Sequence, residues 1–299
     1  MSLFTHEAVI VAPLASGSRG NCTFVGTRHA GVLIDCGLST RQVERRMAQI
    51  GLGETAIAGV LITHEHADHI GAARVLSRRF RERQGGLVPF FMTAGTRGSI
   101  PPQCMPEQRV RVTPGQAFRV GAFEVEPFQV PHDTAEPVAY AVTVGSVRVA
   151  VITDLGRSTR LVETVVSDVD IAVVEFNHDL AMLLDGSYPW ALKQRVRGPH
   201  GHLSNEQARD LVRAGCSGRL RHLVLAHLSE ENNSPNHALQ AAHDALPPGC
   251  RAQIHVATQD EATGPFTLDA DLPAPTRRPT RVSRPARRDD AERQVSLFA

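Results

Sequence analysis

The sequence predicts an α/β protein of αββα type, with two mixed β-sheets flanked by helices. Three observations point there. Short apolar runs rich in β-branched residues recur along most of the chain. Helical patterns with clear start signals separate several of them. The first third is spaced like hairpins while the remainder is mixed, which fits two covered sheets better than one doubly wound sheet. At 299 residues and 42% apolar, the chain can bury a substantial core.

The expected strands, in order, are Val9–Leu14, Val32–Ile34, Val60–Ile62, Phe123–Val130, Val138–Val144, Val147–Ile152, Ile171–Glu175, Leu223–Ala226 and Ile254–Ala257. Most are bounded by Gly, Pro, Asp or Ser, which punctuate strands. Arg41–Ile50 and Ile70–Arg83 carry amphipathic helical spacing. Ser204 with Gln207 three residues on forms a capping box, and Ser234-Pro235 offers an N-cap followed by a first-turn proline. No fixed-period repeat is present.

Charge divides the chain. Residues 271–299 hold seven Arg against Asp271, Asp289, Asp290 and Glu292, a net +3, leaving −2 for residues 1–270. That stretch has four Pro and few large apolar residues, too little to offset the entropy of ordering it. A domain boundary near residue 270, with a disordered tail over 271–299, is therefore expected. No run approaches the ~18–20 apolar residues of a membrane span. The beginning, MSLFTHEAVIVAPL, lacks the basic region and cleavage pattern of a secretory signal, so the expected location is cytoplasmic. The five cysteines, Cys22, Cys36, Cys104, Cys216 and Cys250, form no CxxC pair and are expected to be small buried thiols.

Chemistry concentrates in Thr63-His64-Glu65-His66-Ala67-Asp68-His69, directly after an apolar run. Three His and one Asp within six residues exceed what a solvated loop needs. Imidazole and carboxylate are the donors that hold zinc, manganese or iron. A turn at a strand end can aim His64 and His66 at one ion, and Asp68 and His69 at a second. Further donors stand at later strand ends: His132 after Pro131, Asp154 after Thr153, and His227 after Ala226.

This order of residues resembles the metallo-β-lactamase fold superfamily across residues 7–268. The resemblance implies one ion on His64, His66 and His132, a second on Asp68, His69 and His227, and Asp154 bridging both. Local strings narrow it. They are Ala15-Ser16-Gly17-Ser18-Arg19-Gly20-Asn21, Leu33-Ile34-Asp35-Cys36-Gly37, Thr153-Asp154-Leu155-Gly156, Glu175-Phe176-Asn177-His178-Asp179, Tyr188-Pro189-Trp190, Gly201-His202-Leu203-Ser204-Asn205, and His227 through Asn233. Together they look like the YycJ/WalJ-type bacterial group, whose members are regarded as DNA exonucleases. The group's usual string has Ser where Phe176 stands. The resemblance also makes His178 and His202 candidate catalytic residues, beside Asp68 and Asp154. His202 precedes the Ser204 helix start, where amides and the helix dipole favour an anion. The Ser16–Asn21 turn reads equally as a phosphate nest or as a plain connection. Asp35 reads as a structural or outer support.

Two divalent ions lower the pKa of a bridging water and clamp the oxygens of an in-line displacement, with Asp68 placed to orient the hydroxide. A phosphodiester gains most from this, because charge builds on its non-bridging oxygens. The expected function is a metal-dependent phosphodiesterase, a DNA exonuclease, with zinc or manganese as cofactor. Alternatives of the same fold are a thioester or lactam hydrolase and a ribonuclease; a metal-stabilised recruitment module is a third. The 73 residues from Asp154 to His227 leave no room for an RNase J-like inserted domain. The final stretch, Gln294-Val295-Ser296-Leu297-Phe298-Ala299, resembles the pentapeptide by which bacterial polymerases and repair proteins dock on the β sliding clamp. That likeness makes Gln294, Ser296, Leu297 and Phe298 candidate partner contacts and favours DNA over RNA.

Overall fold

The computed structural model describes residues 4–273. Gln294 to Phe298, and most of the expected tail, lie outside them. The first sheet comprises β1 (Phe4–Ala15), β2 (Cys22–Gly26), β3 (Ala30–Ile34), β4 (Ala56–Leu61), β5 (Phe90–Met92) and β6 (Arg109–Arg111). The second runs through β7 (Phe118–Val120), β8 (Phe123–Gln129), β9 (Val138–Val144), β10 (Val147–Ile152), β11 (Ile171–Glu175), β12 (His222–Ala226) and β13 (Gln253–Val256). The last strand, β14 (Phe266–Pro273), returns to pair antiparallel with β1, so each sheet has seven strands among the described residues. Structure thus continues three residues past the expected boundary near 270.

Helices α1 (Thr40–Gln49), α2 (Ala67–Ile70), α3 (Ala73–Gln84) and α4 (Ala94–Ser99) accompany the first sheet. Helices α5 (Arg160–Ser167), α6 (Leu180–Asp185), α7 (Trp190–Val196), α8 (Asn205–Gly215) and α9 (Pro235–Ala245) accompany the second. The single helix expected over Ile70–Arg83 is two, interrupted at Gly71 and Ala72, which lets the motif loop turn before α3 begins. Both expected caps form: Ser204 and Gln207 make a reciprocal capping box, and the Ser234 side chain accepts from His237 N.

Three core clusters explain why the strands read as continuous apolar runs. In β10, Val149 and Val151 pack between the sheets, while Ala150 and Ile152 face the helices. Ile10 and Leu33 likewise face α1 and α3 on the other side. Strands covered on both faces lose the alternation that marks a half-exposed sheet. The sheets are also joined by polar contacts. Buried Tyr140 of β9 donates to Ile62 O at 2.8 Å, and Val138 N donates to Thr63 O at 3.1 Å. These ties fix the start of the histidine-rich loop against the second sheet. The cysteines are only partly as expected. Cys22 and Cys36 are buried, but Cys104, Cys216 and Cys250, at helix ends and in a loop, are half-exposed.

Candidate metal centre

The donors expected from sequence come from ends of strands in both sheets. His64, His66, Asp68 and His69 occupy the turn after β4 and helix α2; His132 follows β8, Asp154 follows β10 and His227 follows β12. Among the described residues, only Asp35, Asp154 and His227 are non-glycine residues with left-handed backbone, at φ of 62°, 59° and 54°. Each terminates a strand (β3, β10 or β12) at this edge of the sandwich. Such backbone persists where surrounding bonds over-determine it. His227 illustrates this: its N–H donates to Ser16 Oγ at 2.7 Å, and its carbonyl accepts from Asn177 Nδ2 at 2.9 Å.

The side chains converge. His66 Nδ1 lies 3.1 Å from His64 Nε2 and 3.3 Å from His132 Nε2. His69 Nε2 lies 3.3 Å from Asp68 Oδ2 and 3.2 Å from Asp154 Oδ2. His227 Nε2 lies 3.7 Å from Asp68 Oδ2 and 3.6 Å from Asp154 Oδ1, which is itself 3.8 Å from His132 Nε2. Four groups of three donors could each hold an ion, with ligand atoms within 4.8 Å of one another. Two are His64–His66–His132 and Asp68–His69–His227; the others join Asp154 to His64 and His69, and to His202 and His227. Asp154 Oδ2 and His227 Nε2 are buried without a hydrogen-bond partner among the described residues. A divalent cation would satisfy both atoms, and the His/carboxylate donor set suits one.

Several donors have an outer support. The N–H at His69 Nδ1 donates to Asp35 Oδ2 at 2.8 Å, which turns Nε2 toward Asp68 and Asp154. Asp35 Oδ1 also accepts from Thr63 N at 2.8 Å. The N–H at His132 Nδ1 donates to Gly201 O at 3.1 Å. Asn21 spans Asp68 and His69 through its amide nitrogen, at 3.2 and 3.1 Å. Gly37 is required for closeness, because a Cβ there would stand 1.6 Å from Asp68 O.

Electrostatics follow from this crowding. Burial holds His64 and His132 below the usual imidazole range, so both are neutral and able to donate a lone pair. Burial would lower His69 too, but Asp154, Asp35 and Asp68 outweigh it and hold it well above. His227 is likewise pushed up to about 9 against burial, by Asp154 and Asp68. Burial would raise Asp154, yet His227 and His69 hold it well below the carboxylate range.

A pocket of about 340 Å³ opens over the cluster, lined by His66, Asp68, Asp154, His202 and His227 on one side and by Tyr188, Leu192, Arg195 and Val196 on the other. His202 is in it, stacked on His227 with ring centres 5.2 Å apart, its Nδ1 donating to Glu175 Oε1 at 2.7 Å. At the start of α8 the amides of Ser204, Asn205 and Gln207 are taken by Gln207 Oε1, His178 O and Ser204 Oγ. Against the lowering effect of burial, Glu175 raises His202 above its ordinary value.

His178 is not brought into this pocket. It is 1% exposed, its Nδ1 is 3.3 Å from Asn177 Oδ1, and its backbone bridges to Ser204. Nor is the Ser16–Asn21 turn a phosphate nest: the amides of Gly17, Arg19, Gly20 and Asn21 are engaged by Asn21 Oδ1, Gln259 Oε1, Gly17 O and Asp68 O. Phe176, where the related string has Ser, is fully buried among the helix-side core residues. Glu175, Asn177, Asp133 and Arg195 were not singled out for site roles from sequence. Glu175 did carry a signal, as the one charged residue ending an otherwise apolar strand.

The family model described as the β-lactamase superfamily domain matches residues 31–228, which span every candidate donor from His64 to His227. The curated exodeoxyribonuclease YycJ of Bacillus anthracis is 35% identical over 239 residues, 78% of this chain and 87% of the relative. The chain belongs to this family. Within it the likeness is to the YycJ/WalJ group: the exodeoxyribonuclease WalJ of Streptococcus pneumoniae serotype 2 (strain D39) is 32% identical over 226 residues, 74% of this chain and 81% of the relative. Among solved structures, the metallo-β-lactamase fold protein YhfI of Bacillus subtilis superposes with a TM-score of 0.64 at 14% identity, covering 88% of this chain and 100% of the other. The fold is thus the metallo-β-lactamase fold. Among the described residues, no helix is long and apolar enough to cross a membrane.

Proposed function

We propose that the protein is a metal-dependent exodeoxyribonuclease acting through two divalent ions, zinc or manganese. The observation that carries the two-ion reading is the position of Asp154, whose carboxylate reaches His69, His132 and His227 within 3.8 Å and so touches donors of both sets. His64, His66 and His132 would hold one ion, Asp68, His69 and His227 the other, with Asp154 between them. Bound ions supply Lewis acidity and a water of lowered pKa. The chain's own groups do the rest. Asp35 and Glu175 fix the orientation of His69 and His202. With Nδ1 committed to Glu175, His202 keeps Nε2 for the pocket and, protonated, donates to the leaving oxygen. Asp68, a member of the second set, would also orient the attacking water. The DNA substrate is favoured by the exodeoxyribonuclease activity named for the YycJ and WalJ relatives, at 35% and 32% identity over most of the chain.

Digestion of end-labelled single- and double-stranded DNA and RNA, with manganese or zinc added back to chelated protein, tests this reading. Progressive shortening of DNA restored by metal is expected. Cleavage confined to RNA or to a thioester, with DNA untouched, would sink it.

The motif Gln294-Val295-Ser296-Leu297-Phe298, outside the described residues, is proposed to dock on the β sliding clamp, with Leu297 and Phe298 as apolar anchors and Gln294 and Ser296 as polar contacts. A tether of this kind raises the local concentration of the enzyme at DNA. A peptide of residues 285–299 is expected to bind purified clamp in the micromolar range and to lose binding with Leu297→Ala and Phe298→Ala together. Undetectable binding of the full chain to the clamp ends the tether.

A further inference from the structure

The pocket has two unlike sides, and only one of them is the candidate metal centre. The opposite side is built by Tyr188 and by helix α7, where Leu192, Arg195 and Val196 recur at positions one helical turn apart and face the cavity together. Helix α7 is held in place with some care. Lys193, the single lysine of the chain, is buried and donates through Nζ to Leu184 O and Gly186 O, both at 2.6 Å. Those donations bolt α7 to the end of α6. At the other end His202 N donates to Val196 O at 2.8 Å, so the last turn of α7 is tied to the loop that carries a pocket histidine.

Arg195 is the informative member. Its Nε donates to Asp133 Oδ2 at 2.6 Å, and Asp133 Oδ1 in turn lies 3.4 Å from His132 Nε2. One edge of the guanidinium is thereby aimed at the histidine cluster while the side chain stays 59% exposed. Among the described residues no acceptor meets its two terminal nitrogens. Arg195 is also the only Lys or Arg among the residues lining the pocket, against Asp68, Asp133 and Asp154. A half-anchored guanidinium with a free fork is suited to the paired oxygens of a phosphate. Beside it stand a half-buried tyrosine ring and two aliphatic side chains, an apolar flank of the kind that accepts the face of a base. The volume of about 340 Å³ is at the small end for ligand pockets, too small for a duplex.

We propose that this wall is the substrate-positioning surface of the enzyme: it takes the unpaired terminal nucleotide of a DNA strand, with Arg195 on a phosphate and Tyr188 against the base. The proposal rests on the nuclease reading above and deepens it, because a cavity holding one unpaired nucleotide selects strand ends over internal bonds. Tyr188 and Arg195 are positioning residues; the reacting phosphate belongs to the opposite side.

The test uses the full chain and two readouts. Binding of a fluorescein-labelled single-stranded 12-mer is followed by anisotropy in the Asp154→Asn background, where cleavage is silenced. Turnover is followed with metal on the same DNA and on bis(p-nitrophenyl) phosphate, a small diester that carries no base. Tyr188→Ala is expected to weaken DNA binding about tenfold and to lower the ratio of kcat/KM on DNA to kcat/KM on the small diester by a similar factor. Tyr188→Phe, which keeps the ring, retains both. Arg195→Ala lowers DNA binding by about tenfold or more, and Arg195→Lys restores only part of it. Gln194→Ala, on the solvent side of α7, leaves the ratio unchanged. Wild-type anisotropy curves for both alanine variants would overturn the proposal, as would parallel losses on DNA and on the small diester. Tyr188-dependent DNA binding in a wild-type protein that hydrolyses neither substrate would uphold the wall and bring down the nuclease reading instead.

Discussion

The two sides of the pocket are built by opposite rules. On the donor side, His64, His69, His132, Asp154 and His227 are each at most 5% exposed, and several are braced from behind by Asp35, Gly201 or Asn177. On the α7 side, Trp190 and Arg195 are exposed, and the helix rests on one buried lysine, one ion pair and one backbone bond. The difference teaches where geometry is expensive. Converging like-charged and unpaired donors on one point costs free energy that only a rigid, dry surround can hold. On the proposed reading, a surface that admits and releases a polymer end is made from fewer restraints.

The comparison breaks most directly at the donor side. Asp154→Asn and His66→Ala are each expected to lower phosphodiesterase turnover by about three orders of magnitude or more and to reduce bound metal, while circular dichroism and thermal unfolding show a folded protein. Wild-type-like turnover with unchanged metal content in either variant would remove the assignment.

A smaller loss is expected from the supports. Asp35→Asn and Glu175→Gln keep the shape of each side chain but weaken its hold on His69 or His202. Metal affinity for Asp35→Asn, and turnover for Glu175→Gln, should fall by about 10–100-fold, read by chelator competition and steady-state kinetics. Values within twofold of wild type would mean that the donors hold their orientation without them.

The smallest effect is on stability. Burial pushes His178 down to about 4, so the folded protein holds it neutral while the unfolded chain takes up a proton near 6.5. Its contribution is fully present above about pH 6.5 and is lost as pH falls toward 4. Between pH 7 and 5 this amounts to about 2 kcal/mol at most. Urea denaturation of wild type and His178→Gln at both pH values should show a shallower loss in the variant. Equal slopes would place the acid sensitivity elsewhere.

The layered fold and most of the donors were legible in the chain because they depend on local pattern. Val138–Val144 and Val147–Ile152 are strands with the expected bounds, since a β-branched run between Gly, Pro and Asp has few other conformations. His64 to His69 declare themselves by density, and His132, Asp154 and His227 by following such runs. Short strands such as β5 and β6, and the break between α2 and α3, were not legible. Three-residue strands are set by the neighbour that pairs with them rather than by their own composition.

What tertiary structure alone decided is who stands behind whom. Asp35 and His69 are 34 residues apart and Asp133 and Arg195 are 62 apart, yet both pairs close to hydrogen-bond distance. His178 and His202 look alike in sequence, each a histidine in a short, largely polar string. In the fold one is packed against Asn177 away from the pocket, and the other is turned into it by a carboxylate 27 residues away. Residue type and spacing determine which chemistry a chain can bring to a site. Which of two like residues reaches it depends on long-range contacts, and these are made by backbone geometry and packing that no local window contains.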